Sequence, residues 1–311
     1  AGVILSEEPQ QQKAMTLLVD VGTNAEIVLG DKNRLLACSS PTGPAFEGAQ
    51  ISAGQRAAAG AIERVRIDPD TLVARFKVIG SDLWSDEPGF IEETSKFGVT
   101  GICGSGIIEV VAEMYLSGIV TVDGIIDGEL ASRSPLVVAD GRTWSYVLYQ
   151  SDLTENQAPI LVTQNDIRQI QLAKAALYAG VKLLMDKLDI DHVDRIRLAG
   201  AFGSHINVQH AMVLGLIPDC ALNQVSSAGN AAGTGARIAL LNNQSRNTIE
   251  DLVTNIEKIE TAMEPKFQQY FVDAMAFPNK TDPFPNLFST IDKPPEKLIT
   301  ESPGGRKRRR R

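Results

Sequence analysis

Cysteine is scarce in this chain of 311 residues: Cys38, Cys103 and Cys220 stand far apart, with no CxxC pair among them. That spacing gives no disulfide framework and no legible iron–sulfur or zinc site, and it fits a reducing compartment. Histidine is equally thin. His192, His205 and His210 offer no pair at metal-ligand spacing, because a gap of five residues does not stack two ligands on one helix face. Long apolar runs are missing too. None approaches the roughly 18 residues of a membrane span, and the opening AGVILSEEPQ has neither the basic region nor the apolar core of a signal peptide. A cytoplasmic protein with no membrane contact is the expectation. Basic charge is short as well: outside residues 306–311, 24 basic side chains face 38 acidic ones. An acidic body argues against a nucleic-acid-binding domain, leaving only the RKRRRR tail to touch a polyanion, and a merely solvated tail is an equal reading of it.

What is present is enough apolar material, 43% of the residues, for a real core. LLVDV, AEIVL and RLLACSS read as a three-strand antiparallel meander over residues 17–40, turned at GTN and GDKN. The stretch PTGPAFEGAQISAGQRAAAGAIERV reads as a loop leading into alanine-rich helical turns, and RIDPDTLVARFKVIG as a hairpin. GICGSGIIEVVAEMYLSGIV puts glycines ahead of a helix that stops at Gly118, and residues 121–160 are weakly patterned strands and loops. In TQNDIRQIQLAKAALYAGVKLLMDKL, Thr163 and Asp166 have capping-box spacing, and Ile167, Ile170, Ala173, Leu177, Val181, Leu184 and Leu188 form one stripe. A strand (VDRIRLAGAF), a short helix (VQHAMVLGL), a strand near CALNQVS and a Gly/Ala-rich helix (AGNAAGTGARIALL) follow. A last amphipathic helix is expected from about Thr248 to Met275, with no fold assigned from Phe277 onward.

Several of these glycine turns suit a phosphate or nucleoside as well as they suit packing. At DVGTN, Gly22 lets backbone amides approach a phosphate, Thr23 and Asn24 add side-chain donors, and Asp20 can hold the water shell of a magnesium ion. A plain hairpin turn is the competing reading. LAGAFGSHIN places Gly200, Ala201 and Gly203 at a strand-to-helix turn where small residues leave room for a flat base, or simply for close packing. In GICGSG the helix start at Gly104, Ser105 and Gly106 favours an anion, and Glu109, one turn in, could accept from ribose hydroxyls. Gly229, Gly233 and Gly235 mark a helix that others can approach closely, next to a hinge or at a tight crossing. Cys103 reads as a buried small residue.

The order of these parts resembles the second lobe of the actin-like ATPase fold, a ribonuclease H-like α/β architecture with a mixed sheet flanked by helices. Within that superfamily, DVGTNAEIVLG, LLACSSPTGPAFEGAQI, GVTGICGSGIIEVVAEM, VTQNDIRQIQLAKAALYAG and LAGAFGSHI are similar to the C-terminal domain of the reductive activators of corrinoid proteins. The resemblance implies a division into a linker remnant (1–16), an actin-like lobe (17–278) and a disordered Pro-rich, basic tail (279–311). The first residue, Ala rather than Met, fits a segment of something longer. It further implies ATP and magnesium as cofactors, with Asp20 the catalytic and indirect magnesium residue. Asp20, Gly22, Thr23 and Asn24 would face the phosphates, while Gly200, Ala201 and Gly203 flank the adenosine. Gly43 in the GPAF loop and Gly104, Ser105, Gly106 and Glu109 complete the expected nucleotide set. The function implied is return of cob(II)alamin in a corrinoid methyltransferase protein to cob(I)alamin, with electrons from a two-iron two-sulfur domain outside this chain. The corrinoid protein is the implied partner, and a homodimer is a further expectation. Two other readings remain open at this point: a docking and dimerisation module without ATPase activity, and a small-metabolite kinase on the same fold.

Overall fold

The computed structural model describes residues 1–150 and 158–295. Part of the weakly patterned 121–160 stretch and the basic tail lie outside the described residues. A short helix, α1 (Gly2–Glu7), opens the chain and buries Ile4 and Leu5; residues 1–16, expected as a linker, therefore hold a packed element. The meander follows as expected: β1 (Thr16–Val21), β2 (Ala25–Gly30) and β3 (Leu35–Ser40) pair antiparallel with Thr16 opposite Gly30 and Ala25 opposite Ser40. Its apolar positions are near-continuously buried, as a sheet covered on both faces requires.

The alanine-rich stretch after it corrects the sequence reading. Only Pro44–Glu47 makes a single 3-10 turn, and the chain then bends through Gly48 and Gly60, both at positive φ (81° and 86°), which a helix interior does not accept. Residues AIERVRI form β4 (Ala61–Ile67), paired antiparallel with β5 (Ala74–Val78) as the expected hairpin. The short helix α2 (Phe90–Thr94) and strand β6 (Gly101–Ile102) lead into α3 (Gly104–Leu116), and Gly118 at φ 77° ends that helix where expected. A second small sheet of β7 (Val137–Asp140), β8 (Thr143–Tyr149) and β9 (Ile160–Thr163) delivers the chain to α4 (Gln164–Leu188). Thr163 and Asp166 make the capping box in both directions, and the stripe from Ile167 to Leu184 is buried.

The remaining elements complete the main sheet. They are β10 (Arg195–Ala199), α5 (Gly200–His205), α6 (Val208–Leu214), β11 (Val225–Gly229), α7 (Ala231–Leu241), α8 (Asn243–Asn255), β12 (Glu257–Lys258), α9 (Phe267–Asp273) and α10 (Pro285–Phe288). The main sheet runs β11-β10-β1-β2-β3-β12, parallel on the β11, β10, β1 side and antiparallel across the meander. Helix α4 lies directly on β2 and β3. Gly180 makes that possible: a Cβ there would stand 2.7 Å from Ile27 Cδ1, and the Ser40 hydroxyl donates to the Ala176 carbonyl at 2.5 Å.

The single helix expected over 248–275 is instead two. Helix α8 stops at Asn255 because the next residues take up the open edge of β3, Glu257 beside Leu36, and Pro265, which has no N–H to give, blocks a continuous helix on the other side. Nor does order end at Phe277. Phe277, Phe284 and Leu287 are buried, so residues 277–288 pack onto the body despite their Pro-rich composition. Of the glycines in the Gly/Ala-rich helix, Gly235 meets the close neighbour expected: the backbone of Gly2 on α1 occupies the space of its missing side chain.

Candidate functional site

Strands β1 and β10 run parallel, with Asp20 in register with Ala199, so the end of one strand and the turn beyond the other meet at one corner. Gly200, at φ 86°, takes a conformation that only glycine holds comfortably, and a side chain there would meet Asp20 Oδ1 at 2.7 Å. The carboxyl of Asp20 is half-buried, and burial pushes its pKa up from the ordinary carboxylate value. A carboxylate that is costly to ionise and has no cationic side chain bonded to it among the described residues is suited to a hydrated cation.

The turn from β1 to β2 is held in shape by the loop after β3. Thr42 Oγ1 donates to the Gly22 carbonyl (2.8 Å), the Gly43 N–H donates to the Thr23 carbonyl (2.9 Å), and the Gly22 N–H closes the turn on the Asn24 carbonyl (3.1 Å). With the carbonyls engaged inside, Thr23 and Asn24 lie exposed, and no backbone acceptor among the described residues takes their N–H groups. Two exposed amides and the Asn24 amide side chain, beside a half-buried carboxylate, fit a phosphate with its magnesium. Gly43 shapes this turn and does not aim its N–H outward. The Thr23 hydroxyl donates to Glu47 Oε1 at 2.7 Å, which brings a second carboxylate to the turn. Sequence reasoning missed Glu47 and Thr42; the GPAF loop was the signal, but only the fold brings it back over the hairpin.

Other expected site residues serve different neighbours. Gly203 is buried, and a side chain there would press on the Leu198 backbone at 2.9 Å, so its smallness lets α5 fold back on its own strand. Ala201 lies in α5 between these glycines. Ser105 and Gly106 are buried at the start of α3 and Gly104 is half-buried; Cys103 and Ser105 share a contact at 3.3 Å, and a side chain at Gly106 would run into the Ile62 carbonyl. Glu109 is completely buried, and its oxygens already accept from the Val65 N–H (3.0 Å), Arg64 Nη1 (2.9 Å) and Arg66 Nη1 (2.6 Å). The contacts of Glu109 therefore bind α3 to β4, in place of the ribose contact expected of it. One link does run from here to α5: Arg64 Nη1 also donates to the His205 carbonyl, at the opposite end of that helix from Gly200 (3.0 Å).

A hollow of about 270 Å³ between α4 and α9 reaches this corner through Thr42 and Gly43. A groove of about 1330 Å³, lined by Tyr115, Val120, Phe277, Phe284 and Phe288, includes none of the expected site residues. Asp20 and Gly200 line neither.

This sheet, hairpin and strand-to-helix turn define the second lobe of an actin-like ATPase, a mixed sheet flanked by helices. Residues 14–288 match the family model described as the C-terminal domain of RACo, the ASKHA domain. The chain belongs to that family, the reductive activators of corrinoid proteins. It is 33% identical over 273 residues to the corrinoid activation enzyme RamQ of Eubacterium limosum, covering 85% of this chain and 43% of that protein. The [Co(II) methylated amine-specific corrinoid protein] reductase of Methanosarcina barkeri is 26% identical over 258 residues, 80% of this chain and 42% of its own length. The solved structure of a reductive activator for a corrinoid, iron–sulfur protein superposes with a TM-score of 0.75 at 32% identity, over 89% of this chain and 42% of that one. The chain thus spans about two-fifths of the length of these relatives. No helix among the described residues is long and apolar enough to cross a membrane.

Proposed function

We propose that this domain is the nucleotide-binding half of an ATP-dependent reductive activator that returns an inactive cob(II)alamin protein to cob(I)alamin. The observation that carries it is the Asp20–Gly200 corner: a half-buried carboxylate held against a positive-φ glycine beside the exposed Thr23 and Asn24 amides. Asp20 would hold the water shell of magnesium, Thr23 and Asn24 would donate to the phosphates, and α5 would border the nucleoside. Magnesium would supply charge neutralisation at the phosphates. Electrons come from an iron–sulfur domain that is not among these residues; the cysteine spacing here cannot ligate one. Cob(I)alamin is strongly reducing, so the transfer is uphill, and closing a nucleotide cleft is a physically sensible source of the bias. The corrinoid protein is the partner, with a homodimer a secondary expectation.

The test is reduction of a cob(II)alamin carrier protein, followed through the cobalt absorption bands. The polypeptide carrying this domain is assayed with its iron–sulfur donor in the same chain or in trans, with and without MgATP. Stimulation by ATP, abolished by Asp20→Asn, is expected. Reduction at one rate regardless of nucleotide would sink the proposal. It would favour the docking-module reading, for which the exposed Leu240 and Leu241 on α7 supply an apolar contact.

A further inference from the structure

The β4–β5 hairpin pairs cation against cation. Its register sets Arg64 opposite Lys77 and Arg66 opposite Arg75, and like charges directly opposed on one sheet face are destabilising. The inner two are compensated, Arg64 and Arg66 by Glu109, with Glu113 3.9 Å from Arg66. The outer two are not. Among the described residues, no carboxylate lies within ion-pair distance of Arg75 or Lys77, although Asp82, Asp86 and Glu87 belong to the loop beside them. Instead, Lys77 Nζ donates to the Asp82 carbonyl, and the side chains converge on Trp84: Arg75 sits 4.8 Å, Lys77 5.5 Å and Arg66 5.9 Å from the indole centroid. Cation–π contact offsets some of the repulsion, and neutral polar residues at 75 and 77 would avoid the repulsion altogether.

This face also stands out against the rest of the molecule, which is strongly acidic. It is built by β4, β5 and the loop after them, and neither the groove nor the hollow described above includes any of its residues. Small anions are bound in concave sites, whereas Trp and Arg are the residues that anchor protein interfaces, and here the exposed Arg75 lies over the half-buried Trp84. We infer that the Arg75, Lys77 and Trp84 face is the docking surface for an acidic patch on a protein partner. Under the functional reading above, on which this rests, that partner is the corrinoid protein. Its inner edge, Arg64, holds the last carbonyl of α5, the helix whose first residue is Gly200 at the nucleotide corner.

The test measures binding of the chain to purified corrinoid carrier proteins, the methylated-amine-specific one included, at rising salt concentrations. The double variant Arg75→Glu/Lys77→Glu and the single variant Trp84→Ala are compared with Lys32→Glu, an exposed lysine in the β2–β3 turn. Melting curves establish that each variant folds. The double variant is expected to weaken binding by about tenfold or more at low salt and to flatten the salt dependence, with Lys32→Glu nearly silent. Equal binding by the double variant would overturn the inference, as would failure of every carrier to bind. Binding of a single-stranded oligonucleotide lost in the same variant would reassign the face to nucleic acid. The two proposals fail separately: carrier binding through this face without ATP-stimulated reduction defeats the functional reading alone, and stimulated reduction untouched by charge reversal defeats this one alone.

Discussion

At Asp20 the balance of charge and burial yields a prediction with a definite sign. Because burial raises the pKa of this carboxyl above its ordinary 3.8, the folded chain holds the proton more tightly than the unfolded chain does. Its contribution to stability is therefore greatest with the proton on, and it falls as pH rises from the ordinary value through the raised one. Above that window the ionised, half-buried carboxylate is a standing cost, borne for something other than the fold. Asp20→Asn should leave the melting temperature at neutral pH unchanged or slightly higher and flatten its acid-side pH dependence. Magnesium-dependent binding of a nucleotide analogue should disappear at the same time. A melting temperature lowered by more than about 5 °C, the effect of roughly 2 kcal/mol in a domain of this size, would show that Asp20 serves packing instead.

Among the elements, α3 and β4 pack closely, and they show what could be read from the chain and what could not. Beyond Ile62, β4 has no strand on its outer side, and two carboxylates of α3 take over: Glu109 accepts from Val65 N–H and Glu113 from Ile67 N–H, each at 3.0 Å. Four helical residues rise about 6 Å and two strand residues about 6.7 Å, so a helical i, i+4 pair can match a strand i, i+2 pair. The helix and its glycine stop were legible because they depend on neighbours in sequence, as were the meander and the Thr163–Asp166 cap. The use of Gly106 and Glu109 was not, since both are decided by a strand some forty positions earlier. The break at Asn255 was hidden for the same reason: the β3 edge that captures residues 257–258 is remote in the chain. Gly106→Ala sets the local and tertiary effects against each other. Alanine gains about 1 kcal/mol of helix propensity, but its Cβ would enter the space of the Ile62 carbonyl, displacing α3 and with it both caps on the β4 edge. Overpacking at about 1–3 kcal/mol together with orphaned amides at about 1–3 kcal/mol each outweighs the gain. A net loss of about 3 kcal/mol in urea unfolding is expected; a stabilised variant would mean that α3 does not lie against β4 as described.

Over the whole molecule, α4 joins the central sheet to residues 275–282. One side of it packs on β2 and β3, and another carries Gln171, Lys174, Tyr178 and Lys182 in a row along the helix. Gln171 donates to the Met275 carbonyl (2.7 Å), Lys174 to the carbonyls of Ala276 and Pro278, and Tyr178 and Lys182 share the carboxylate of Asp282 at 2.9 Å. That row fastens residues 275–282, a stretch whose composition alone suggests no fold. Lys174 is its centre, fully buried and without a carboxylate, so burial drives its pKa well below the ordinary 10.5. Between the depressed value and 10.5 the unfolded chain carries a proton that the folded chain does not, so stability rises with pH across that window. Lys174→Met keeps the volume and removes both the amine and the slope. It strands two buried carbonyls at about 1–3 kcal/mol each, while relieving the cost of burying the amine, and the difference should be a loss of about 2 kcal/mol. Hydrogen exchange should then speed up selectively over residues 275–288, with β1 and β2 still protected. If the variant instead keeps the alkaline rise in stability, the rise does not come from Lys174; if exchange over 275–288 is unchanged, α4 is not what holds this segment down.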